Sequence, residues 1–71
     1  MKFSYFSDTD TLYIDLAERP SVESDEVSPD IVLDLDADNN IVGIEIEHAS
    51  RKVDLENLSF SSLPFQPTKT A

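Results

Sequence analysis

The sequence contains no cysteine and no tryptophan, and among its 71 residues there are one glycine, one histidine and only five lysines and arginines. Without cysteine no disulfide can staple the fold, and a single histidine with no thiol excludes the common zinc clusters. The one glycine, Gly43, is flanked by Val42 and Ile44, which leaves no glycine-rich loop to cradle a phosphate and no glycine-rich elbow to present a nucleophile. So few basic residues exclude surfaces for nucleic acid or anionic lipid, whose affinity comes from lysine and arginine displacing counterions. No apolar run approaches the ~18–20 residues that span a bilayer, and acids stand near the start where a signal peptide carries its hydrophobic stretch. The expectation is a cytoplasmic protein.

What the chain has in quantity is carboxylate. Fifteen aspartates and glutamates give a net charge of −10. Thirteen of them fall between Asp8 and Glu47, where Arg19 is the one base, whereas the balance from His48 onward is slightly positive. Such a field attracts cations or a basic protein. An apolar content of 39% is enough for a globular fold. A core this small supplies only ~3–5 kcal/mol, so a staple is needed, and self-association is the one left. A homodimer is expected.

Period-two alternation organises most of the chain. Phe3 and Tyr5 alternate with Lys2 and Ser4; after the polar turn from Ser7 to Asp10, Leu12, Ile14 and Leu16 alternate with Thr11, Tyr13 and Asp15. This is the pattern of a hairpin of two half-buried strands, closed by Pro20. Val22 and Val27 have opposite parity, so the stretch from Val22 to Pro29 reads as an edge strand with a bulge. Ile31, Leu33 and Leu35 then pair with Val42, Ile44 and Ile46 across Asn39-Asn40, residues that tolerate a tight turn. Carboxylates on the outward face of these strands discourage edge-to-edge aggregation. Ala49, Val53, Leu55 and Leu58 suggest a short helix with Ser50 as its cap, a strand through residues 52–55 being the alternative. The resulting fold class is α+β, mainly an antiparallel sheet of four to five short strands with one short C-terminal helical segment. Residues 1–58 form the domain and residues 59–71 an irregular or mobile tail, whose Phe60, Leu63 and Phe65 are suited to docking on a neighbouring surface.

Tyr5, the string Asp8-x-Asp10-x-Leu12-Tyr13-Ile14-x-Leu16, the acids from Glu23 to Glu26, and Ile41-Val42-Gly43-Ile44-Glu45-Ile46 followed by Ala49-Ser50 resemble the domain of unknown function 2283 family of small bacterial proteins. The resemblance covers residues 5–53. Asn39-Asn40 stands where the family usually carries an Asp-Gly type of turn. The resemblance implies a small sheet with a short C-terminal helical piece, and pairing with a small toxin-like protein; it supplies no catalytic residues, because the family defines none.

Three constellations carry chemistry on paper. Asp34, Asp36, Asp38 and Glu45 fall at positions 1, 3, 5 and 12 of a calcium-loop register, but position 6 is Asn39 and no helix pattern precedes Asp34. These four are weak candidates for metal ligands, and no cofactor is expected. His48 and Ser50 invite a base and nucleophile reading, yet nothing supplies an oxyanion site; His48 closing a strand and Ser50 opening a helix is the better account, and no catalytic residue is assigned. Gly43, inside a strand, marks close packing against a ring, Tyr5 or Tyr13. Tyr13, Val32 and Ile41 share the parity of the acids and form a second, smaller apolar patch suited to a dimer interface. The function expected is a non-enzymatic protein-interaction module, antitoxin-like, with a basic partner; the alternative is a small metal- or ligand-binding domain using the acidic hairpin 34–45.

Overall fold

The computed structural model describes residues 1–64, so Phe65 and the rest of the expected tail lie outside the described residues. Five strands, β1 (Lys2–Phe6), β2 (Thr11–Asp15), β3 (Glu23–Ser28), β4 (Ile31–Leu35) and β5 (Ile41–Glu47), precede one helical turn, α1 (Ala49–Lys52). All neighbours are antiparallel and the order is β1-β2-β5-β4-β3. Both expected hairpins form, β1–β2 and β4–β5, and they join edge to edge through β2 and β5, which puts β5, the last strand, at the centre. The edge strand β3 is present with its register shift between Glu26 and Ser28, the bulge that the parity of Val22 and Val27 requires. Glu23, Asp25, Glu26 and the bulge blunt this edge against further pairing.

The register sorts the residues by chemistry. Phe3, Ile14, Ile44 and Leu33 lie in one row across four strands, and Tyr5, Leu12, Ile46 and Ile31 in the next row of that face. On the opposite face, Ser4, Tyr13, Glu45, Val32 and Glu26 form one row and Lys2, Asp15, Gly43, Asp34 and Ser24 another. A slip of one residue would exchange these faces. The sheet is a single layer: every residue of β2 and β4 is half-buried, α1 packs along none of the strands, and Val42, Ile46 and Ala49 are the buried apolar residues among those described.

After β5 the structure departs from the expected helix. α1 is one turn, and its N-cap is His48, in a left-handed conformation (φ 54°) with no side-chain capping bond. Ser50 is therefore inside the helix and not its cap. The helix cannot run on to Leu58: Val53 turns to an extended conformation, and the described chain from Val53 onward has no regular element, so the alternative strand through residues 52–55 does not form either. Residues 59–64 are likewise irregular; Phe60 meets Phe3 edge to face, ring centroids 6.5 Å apart.

Gly43 is buried on β5 beneath the Tyr13 ring. A Cβ at this position would overlap the Tyr13 hydroxyl, come within 2.8 Å of Tyr13 Cζ and reach 3.4 Å from Asp34 Oδ2. The Gly43→Ala variant is expected to lose about 1–3 kcal/mol of stability through overpacking, read as a lower urea midpoint; an unchanged midpoint would show that the ring does not lie there.

Candidate functional site

The polar side chains gather into four small centres. At the middle of the sheet, the Tyr13 ring crosses over Gly43, and its hydroxyl donates to Asp34 Oδ2 at 2.6 Å. Ser24 donates to the other oxygen, Asp34 Oδ1, at 2.9 Å, so the bonds reach from β2 across β5 to β4 and β3. The carboxylate that accepts the phenol, assisted by burial, pushes the Tyr13 pKa up to about 12.

At one end of the sheet, Asp10 sits in the β1–β2 turn with φ 54°. Its backbone carbonyl accepts the Ala49 N–H at 2.9 Å. Its carboxylate accepts the Ser50 N–H at 3.1 Å, the Ser50 hydroxyl at 2.7 Å and the Tyr5 hydroxyl at 2.7 Å. The first turn of α1 is thus capped by an aspartate 40 residues earlier in the chain, satisfying donors that a helix start leaves open. The Ser50 and Tyr5 hydroxyls hold the Asp10 carboxyl below its usual range. At the same end, Asp30 in the β3–β4 turn contacts His48 Nδ1 at 3.0 Å and Lys52 Nζ at 3.2 Å, and these two groups lower its pKa.

At the other end, Asp36 follows β4 and is 7% exposed. Its Oδ1 accepts the N–H groups of Asp38 and Asn40, both at 2.9 Å, and its Oδ2 pairs with Arg19 Nε at 2.9 Å. Asn39 takes the left-handed conformation that this loop needs (φ 65°). The Asn40 and Asp38 amides and the Arg19 guanidinium keep the Asp36 carboxyl ionised below its usual range, against the cost of burial.

This geometry locates each residue singled out from the sequence. Asp34 and Asp36 spend both oxygens on their own chain, Asp38 is exposed in the loop and Glu45 stands on β5 beside Tyr13. Among the described residues no three acids or histidines are grouped to hold a metal ion. His48 and Ser50 bond to two different carboxylates, Asp30 and Asp10, which provides no relay from base to nucleophile. Tyr13, Val32 and Ile41 do share the acid-bearing face, with Tyr13 and Val32 flanking Glu45 and Ile41 exposed at the end of β5. The cap by Asp10 and the loop clamp by Asp36 escaped the sequence reading; the polar turn from Ser7 to Asp10 was a signal for the first only as a turn. One open depression of about 450 Å³, lined by Lys2, Asp15, Glu18, Arg19 and Pro20 among others, encloses no bonded catalytic pair.

The fold and these centres define a small acidic single-sheet protein whose bonded carboxylates serve its own architecture. The chain belongs to the protein of unknown function (DUF2283) family, whose model matches residues 2–50. No curated protein and no solved structure matches it. Several residues that carry the family resemblance meet here: Tyr5, Asp10 and Ser50 in one clamp, Tyr13 and Gly43 in the other.

Two pH dependences follow. The depressed Asp10, Asp30 and Asp36 stabilise the fold fully above the ordinary aspartate pKa, and that stability is lost as pH falls from there through their lowered folded values. Stability against urea is expected to drop steeply below about pH 3.8, and Asp36→Asn to lower it at neutral pH while making the acid slope shallower; an unaltered slope would mean that Asp36 is not held ionised. Tyr13 acts in the opposite sense: its raised pKa stabilises up to pH 10, and the contribution is lost between there and about 12. An ultraviolet titration should show an ionisation near 12 that disappears in Tyr13→Phe, and a tyrosine titrating normally in its place would contradict the Tyr13–Asp34 bond.

Proposed function

We propose that this chain is a non-enzymatic, cytoplasmic protein-interaction module that binds a basic protein, in the manner of an antitoxin, through the acid-bearing face of its sheet. The observation that carries this reading is the segregation of charge. Asp15, Glu26, Glu45 and Glu47 stand on one face around Tyr13, and none of them is in an ion pair among the described residues. Lys2, on the edge strand, is the one base whose register places it on that face. A broad, shallow, anionic surface of this kind suits a protein face carrying lysine and arginine, and its field speeds encounter.

The hairpin 34–45 is the weaker reading, since Asp34 and Asp36 already have partners on both oxygens. Binding to the acidic face should weaken on the order of tenfold between low and physiological salt. The check is affinity capture from the native host followed by titration with the purified partner. A basic partner, lost on raising salt and on Glu45→Lys with Glu47→Lys, is expected; a complex indifferent to both changes would overturn the proposal.

A further inference from the structure

The opposite face of the sheet carries the strongest apolar pattern in the chain, and among the described residues no second sheet lies over it. Ile46 on the central strand is buried, but Ile14, Ile44 and Leu33, with Leu12 and Ile31 beside Ile46 in the adjacent row, are only half-buried. Phe3 and Tyr5 at the β1 margin are 39% and 47% exposed. No large side chain is fully buried among the described residues. We propose that a second copy of this chain covers this face, giving a two-layer sandwich in which the two acidic faces point outward.

Charge identifies the occupant. The two central rows of this face contain no ionised group, and its acids, such as Asp25 beside Leu33, belong to the β3 edge. A basic partner therefore finds its complement on the other face, whereas a neutral apolar surface finds it here, and the same chain supplies one. Stacking two sheets about 10 Å apart, with strands within about 30° of each other, leaves the β3 acids at a solvated rim, where interfaces tolerate charge. It also turns the carboxylates of the two outer faces away from each other across both layers.

Size sets the strength. Four strand intervals and five residues make a footprint about 20 Å wide and about 17 Å long, to which Phe60, packed on Phe3 at the β1 margin, adds. That is below the roughly 800 Å² that each partner of a standard stable dimer removes from water, so the association is of the weak class and shows at high protein concentration.

This inference is independent of the acidic-face proposal, and one set of measurements separates them. Light scattering on the eluting protein at high micromolar concentration should give the mass of two chains, retained or tightened at high salt because repulsion between acidic chains is screened. Leu33→Lys should yield a single-chain mass, and Ile41→Lys, on the other face, should leave two. Should Leu33→Lys fail to fold, the wild type still decides: the fluorescence of an apolar dye per chain should fall as concentration rises through the association range, while the unfolding temperature rises. A single-chain mass for the wild type, a dimer lost in Ile41→Lys but kept in Leu33→Lys, or dye fluorescence constant over that range would overturn it.

Discussion

One crossing contact holds the faces of this sheet apart. The Tyr13 ring reaches from β2 over Gly43 of β5 to bond Asp34 of β4, and it can do so because Gly43 has no side chain. Three strands are thereby tied in one register. Since side chains alternate with period two, the register decides which face receives the leucines and isoleucines and which the carboxylates. Both surfaces to which we assign partners follow from that choice.

The remaining bonded acids secure the ends. Asp10 and Asp30 bring the β1–β2 and β3–β4 turns to α1, and Asp36 closes the loop that leads into the central strand. Each is an aspartate in a turn, where its short side chain can accept nearby N–H groups, and each exchanges water for several donors. These carboxylates bind their own chain. Asp15, Glu26, Glu45 and Glu47, which stand on one face without such partners, form the surface we propose for a basic partner.

Much of this was legible in the sequence because alternation reports faces directly. Residues 11–16 and 41–47 show their main apolar parity, with Tyr13 and Ile41 as the exceptions on the other face, and Val22 against Val27 announces the bulge in β3. The lone Gly43 pointed to a ring above it, and of the two tyrosines weighed, Tyr13 is the one found there. Sheet order was not legible: alternation says which side a residue faces but not which strands are neighbours, so the joining of the two hairpins through β2 and β5 was invisible. The end of the chain misled for a related reason. Ala49, Val53, Leu55 and Leu58 have helical spacing, but α1 stops after one turn, and its cap comes from Asp10 instead of Ser50, a long-range bond that local propensity does not record. The calcium-like spacing from Asp34 to Glu45 was real as spacing, yet the hairpin distributes those residues over a strand face, a buried clamp and an exposed loop.

The account stands on the reach of Tyr13 to Asp34, and a double-mutant cycle measures it most directly. Tyr13→Phe, Asp34→Asn and the pair, compared by urea unfolding at neutral pH, isolate the interaction from the separate effects of each change. A favourable coupling of about 1.5–3 kcal/mol is expected for such a hydrogen bond to a charged acceptor. Strictly additive losses would mean that the two side chains do not meet, and the sorting of the faces would need another cause.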